Sequence, residues 1–170
     1  MRYTILGLAV LLVAPMRMAP GLPVVASAHA EDAAVAVQNP CARATPGVGT
    51  TAAVYLTLTA RGAADRLIGV STPAAGMAMV HESYAEGSVS RMRMLDNVPL
   101  PAGVAVTFRP GALHIMLEGL VAPLKVGASF PLTLTFLKAP PRTVAVTVLK
   151  PGAAGPAAAD MKDMQGMKMP

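Results

Sequence analysis

Phe130–Val148 reads FPLTLTFLKAPPRTVAVTV, two runs with apolar residues at every second position, divided by Pro140 and Pro141. In the first run Leu132, Leu134 and Phe136 alternate with Thr133 and Thr135; in the second Val144, Val146 and Val148 alternate with Thr143, Ala145 and Thr147. Successive side chains of a strand point to opposite faces, so each run reads as a half-buried antiparallel strand. TAAVYLTLTA (Thr51–Ala60) repeats the pattern, setting Leu56 and Leu58 against Tyr55, Thr57 and Thr59. Turn signals fall at Gly62, Pro73, Glu86-Gly87, Pro101–Gly103, Pro110-Gly111, Gly127 and Pro140-Pro141. Seven to nine short strands at that spacing predict an all-β chain, a β-sandwich or Greek-key barrel. Its core is expected from Leu56, Leu58, Leu132, Leu134, Phe136, Val144 and Val146.

The ends of the chain read differently. Arg2, the apolar run Ile5–Val13 and the small-residue site Ala28-His29-Ala30 ahead of Glu31-Asp32 predict a secretory signal peptide over residues 1–30, cleaved after Ala30. Pro15, Arg17 and Pro20 break the run too early for a membrane span. Removing Arg2 and Arg17 leaves twelve Lys/Arg against nine Asp/Glu, scattered and with few aromatics, which gives a nucleic-acid role no support. One cysteine, Cys41, allows no intramolecular disulfide, so residues 31–150 must be held by a core. Residues 151–170 begin PGAAGPAAAD and end MKDMQGMKMP, a Pro/Gly/Ala linker and a Met-rich tail expected to be disordered.

Within GALHIMLEGL (Gly111–Leu120), Leu113, Ile115 and Leu117 share one face while His114, Met116 and Glu118 share the other. The only other histidine after residue 30 is His81, in GMAMVHESYAEGSVSRMRML (Gly76–Leu95), which reads as a hairpin. A pivot between Glu86 and Gly87 sets His81 opposite Met92 and Met79 opposite Met94, with Arg91 and Arg93 on the reverse face. Two His-Met pairs follow, His81 with Met92 and His114 with Met116. Imidazole and thioether form a soft, neutral donor set that suits Cu(I) and lacks a hydrolytic water, which favours carriage over catalysis. Met77, Met79 and Met94, taken singly, read as ordinary core fillers. Glu118 reads equally well as a group that orients an imidazole or as a solvated charge.

His81, ten residues, Met92, twenty-one residues, His114, one residue, Met116 resembles the signature of the PCu(A)C copper chaperones. RATPGVGTTAAVYLTL, LPAG, RPGALHIMLEGL, PLKVG and PLTLTF extend the resemblance over roughly Ala42 to Lys138. It implies a cupredoxin-like antiparallel β-sandwich that binds Cu(I) near the surface through His81, Met92, His114 and Met116. It also implies a periplasmic, non-enzymatic protein that passes copper to the CuA centre in the copper-bearing subunit of cytochrome c oxidase. Some relatives work with a thioredoxin-fold copper chaperone. A monomer is expected.

Two further readings remain. Cys41, the two histidines and methionine are the ligand types of a blue-copper electron carrier, but Cys41 precedes His81 by forty positions, whereas such sites gather Cys, His and Met on one late loop. Cys41 is expected to be a small strand-edge hydrophobe. Met161, Met164, Met167 and Met169, with Asp160 and Asp163 between them, predict a second, weaker site for Cu(I) or Cu(II) on the tail.

Overall fold

The computed structural model describes residues 34–47 and 51–153, so the expectations for the signal peptide and for Met161, Met164, Met167 and Met169 lie outside the described residues. Among the described residues ten strands follow in chain order: β1 Val35–Arg43, β2 Ala52–Ala60, β3 Asp65–Ser71, β4 Ala75–Glu86, β5 Val89–Leu95, β6 Val98–Leu100, β7 Ala105–Phe108, β8 Leu113–Leu120, β9 Ser129–Phe136 and β10 Arg142–Leu149. This is one or more strands beyond the expected seven to nine. One of the breaks not foreseen is the Asp96-Asn97 bend between β5 and β6, which carries neither Pro nor Gly.

The strands hydrogen-bond in the order β5-β4-β8-β2-β1-β10-β9-β3-β6, with β7 beside β2, and the sheet folds into a cupredoxin-like β-sandwich. All named ladders are antiparallel except one: β1 runs parallel to β10, through Cys41↔Thr147 to Arg43↔Leu149. The expected antiparallel β-sandwich holds in every other named ladder, and only the β1–β10 pairing is parallel. β1 and β10 lie at opposite ends of the chain and need no tight hairpin between them, so nothing forces antiparallel pairing. Within β1 the ladder to β2 slips between Gln38 and Cys41, where Asn39 takes φ +49°. Asn tolerates that left-handed conformation, and the resulting bulge bends the strand.

Alternation decides the core. Leu56, Leu58, Leu132, Leu134 and Val146 are fully buried, as is Phe136 nearly so, while Val144 packs only against the margin. The opposite face of β2 departs from the expected half-exposure, because Tyr55 and Thr57 are buried as well. β2 is an interior strand flanked by β1 on one side and by β8 and β7 on the other. Cys41 is likewise buried in an interior strand, not at an edge. Its burial raises the thiol pKa, an effect that the nearby Arg43 charge only partly offsets.

Candidate metal centre

β4, β5 and β8 form the panel that carries the sequence-predicted ligands. β4 and β5 turn tightly through Gly87-Ser88, with Glu86 opposite Val89. Gly87 takes φ +61° and Ser88 does not have a positive φ, the pattern of a type II′ hairpin, in which glycine holds the first central position. The pivot therefore lies one residue later than expected. His81 stands opposite Met94, and Met92 stands opposite Ser83. The predicted His81–Met92 and Met79–Met94 oppositions are corrected, but the faces survive: moving a pivot by one residue shifts every partner by two, which preserves parity.

Across the other ladder, His81 is directly opposite His114, Met79 opposite Met116, and Met77 opposite Glu118. Ile115 and Leu117, between these residues on β8, are fully buried, which locks the strand so that His114 and Met116 face away from the core. The panel thus gathers His81, Met92, Met94, His114, Met116, Met79 and Met77 on one face.

Three of the four predicted ligands show direct geometry. Met92 Sδ lies 3.2 Å from His81 Nδ1, by diagonal approach across the hairpin. The His81 and His114 rings meet edge to face, with centroids 5.9 Å apart and planes at 89°. For comparison, nitrogen and sulfur ligands of one tetrahedral ion, at about 2.0 and 2.3 Å from the metal, stand about 3.5 Å apart. Met116 is half-buried and lines, with Met92 and His114, one open hollow of about 300 Å³.

His114 is only 6% exposed, and its Nδ1 lies 3.0 Å from the Ala112 carbonyl oxygen. A carbonyl can only accept, so Nδ1 carries the proton and donates. The Nε2 lone pair is left for an ion, and the ring orientation is fixed. The group that orients the imidazole is therefore the Ala112 carbonyl. Glu118, four residues along β8, lies about 13 Å from His114 by strand rise and does not serve His114. Met92 is the opposite case, 52% exposed on an outer strand.

The reverse face of the hairpin carries charge. Arg93 donates to Glu82 Oε2 from Nε at 2.8 Å and from Nη2 at 2.6 Å, and its guanidinium sits 5.4 Å from the Tyr84 ring centre. Arg91 pairs with Glu86. These cations are tied down behind the strands, on the side away from the imidazoles.

The reading of Met77, Met79 and Met94 as ordinary core fillers is corrected. None of the three is fully buried: Met94 is 62% exposed, Met79 half-buried and Met77 exposed. Their odd-even phase relative to His81 was the available signal. Cys41 belongs to the same outward phase but lies two strands from His114, with β2 and Tyr55 between them. Strand spacing puts it about 10 Å away, so the structure does not bring Cys41 and His114 together as a blue-copper site requires. Among the described residues there is no group of three or more His, Cys, Asp or Glu side chains that could hold a metal ion.

The fold and this face define a class, the PCuAC-type β-sandwich. The copper-bound PCuAC domain from PmoF2 is 27% identical, with a TM-score of 0.60 covering 69% of this chain and 94% of that one. The Cu(I) form of DR1885 from Deinococcus radiodurans is 30% identical, with a TM-score of 0.54 covering 68% of this chain and 80% of that one. More particularly, the chain belongs to the LpqE-like family, whose model matches residues 35–148. A curated relative, "Putative lipoprotein Lxx21020" of Leifsonia xyli subsp. xyli (strain CTCB07), is 34% identical over 83 residues, which is 48% of this chain and 50% of that protein. The chain thus matches about half the length of that relative.

Proposed function

We propose that this protein is an exported copper chaperone that holds Cu(I) through His81, Met92, His114 and Met116 and delivers it to the CuA centre of cytochrome c oxidase. The observation that carries the reading is the approach of Met92 Sδ to His81 Nδ1, 3.2 Å, beside a His114 whose Nδ1 is already committed to a backbone carbonyl. Two imidazoles and two thioethers are neutral and soft, which matches a monovalent, polarizable ion. The copper-bound state of structural neighbours supports the same cargo.

The unequal burial of the ligands gives transfer an order. His114 is enclosed and hydrogen-bonded, so it holds the ion longest. Met92 sits on an exposed outer strand and is the ligand that an acceptor's own donor can replace first. Exchange by one ligand at a time avoids ever releasing a bare ion to water. The acceptor is the copper-bearing oxidase subunit in the periplasm, with a thioredoxin-fold copper chaperone as a cooperating partner. The chaperone acts as a monomer exported by the signal peptide of residues 1–30. The Met161–Met169 tail supplies a separate, weaker site.

Anaerobic titration with Cu(I) against a chromophoric chelator, on the wild type and on His114→Ala, tests the reading. The wild type should hold one ion tightly, and the variant should bind it at least about ten-fold more weakly, which is about 1.4 kcal/mol. Equal affinities would remove the site.

A further inference from the structure

Four ligands leave two thioethers beside the histidines unexplained. Met94 is the residue directly opposite His81 on β5, and Met79 is directly opposite Met116 on β4. Both point to the face that carries the proposed quartet. They are also diagonal neighbours, because Met79 precedes His81 by two residues on the same strand. Diagonal pairs lie about 7–8 Å apart across a ladder, within reach of long side chains.

The two methionines adjoin the quartet but border a different hollow. Met92, His114 and Met116 line the hollow of about 300 Å³ beside β2. Met79 and Met94 line a different hollow, of about 210 Å³, between β3 and the β4–β5 panel, with Asp96 on its wall. Exposed thioethers forgo apolar burial without gaining a hydrogen bond, so the hydrophobic effect gives no reason to place Met94 there, 62% exposed. Two thioethers suffice for a d¹⁰ monovalent ion, which accepts low coordination, and the carboxylate of Asp96 supplies a counter-charge.

We propose that Met79 and Met94, with Asp96 at the rim, form a second and weaker seat for a soft monovalent cation, next to the histidine site. The seat takes Cu(I) or Ag(I) and discriminates against hard divalent ions, because thioethers bind those poorly. It places a neighbouring station for the ion on the same face of the panel, toward β3. The proposal rests on the reading that the quartet takes the first ion.

The test is Ag(I) titration of the protein carrying ¹³C-methyl methionine, followed by NMR with the methyl signals assigned individually. The first equivalent should move the Met92 and Met116 signals. Further Ag(I) should move those of Met79 and Met94, with affinity at least about ten-fold weaker because two ligands replace four. In the Met79→Leu/Met94→Leu variant, a volume-conserving change, the first step should persist and the second should vanish. Static Met79 and Met94 signals at excess Ag(I), with Met92 and Met116 moving, would overturn the second seat and leave the quartet standing. Movement of Met79 and Met94 at the first equivalent, with Met92 and Met116 static, would overturn both.

Discussion

The β9–β10 pair and the β4–β8 pair obey the same alternation and do different things with it. In both, one face is core: Leu132, Leu134 and Val146 in the first, Val80, Ile115 and Leu117 in the second. On the outward face of β9–β10 the facing pair is Thr133 and Thr143, whose hydroxyls lie 2.9 Å apart in a hydrogen bond that closes the surface on itself. On the outward face of β4–β8 the facing pairs are His81 with His114 and Met79 with Met116. Threonine pairs satisfy each other, whereas lone pairs on imidazole nitrogen and thioether sulfur still seek an acceptor of electrons. The core face decides that the strand exists, and the outward face decides whether it has chemistry to perform.

That division can be broken from either side, and the largest effect belongs to the core. Leu132→Ala should destabilise the apo protein by about 2–5 kcal/mol in chemical denaturation. The Cu(I) affinity of the remaining folded molecules should be unchanged, since Leu132 faces away from the ligands. Loss of affinity in parallel with stability would mean that the faces are coupled. His114→Ala should shift the balance toward binding, reducing affinity about ten-fold or more while apo stability falls by about 1–3 kcal/mol, because a buried ring and its hydrogen bond to the Ala112 carbonyl are lost. The apo protein should show a β-sheet circular dichroism spectrum, because its core is complete without metal.

A smaller effect is confined to acid. Burial pushes the Asp65 carboxyl up, but backbone N–H groups of Ala139, Arg66 and Lys138 donate to it, and with the Lys138 charge they hold it below its ordinary value of 3.8. A folded pKa below the unfolded one means stability that is complete above about pH 3.8 and lost as pH falls through the depressed folded value. Acid denaturation of Asp65→Asn should therefore be shallower below that pH than in the wild type, and identical slopes would exclude Asp65 as a contributor. The smallest effect belongs to Arg93→Ala, behind the hairpin. Its exposed pair with Glu82 should be worth less than about 1 kcal/mol, and Cu(I) affinity should not change. A ten-fold loss of affinity there would show that the two faces of the hairpin are not independent.

Strand character and facing were legible in the sequence because period-two patterning reports the face directly, and Leu56, Leu132 and Ile115 all lie where it places them. The histidines and methionines were legible for the same reason. Pairing partners were not. Whether His81 meets Met92 or Met94 depends on which residue of the turn takes positive φ, and Glu86-Gly87-Ser88 offered two choices of centre. The parallel β1–β10 ladder joins residues about a hundred positions apart and leaves no local trace. Likewise, the burial of Tyr55 and Thr57 follows from β2 lying inside the sheet, which its own pattern does not encode.

In the proposed copper-loaded form, one ion is held by two imidazoles and two thioethers on the β4–β5–β8 panel. Copper K-edge X-ray absorption on protein loaded anaerobically with one equivalent of Cu(I) tests it most directly. Two nitrogen and two sulfur scatterers are expected, with the sulfur shell lost in the Met92→Leu/Met116→Leu variant. A shell of nitrogen and oxygen alone, or a sulfur that survives in that variant and disappears in Cys41→Ser, would contradict it.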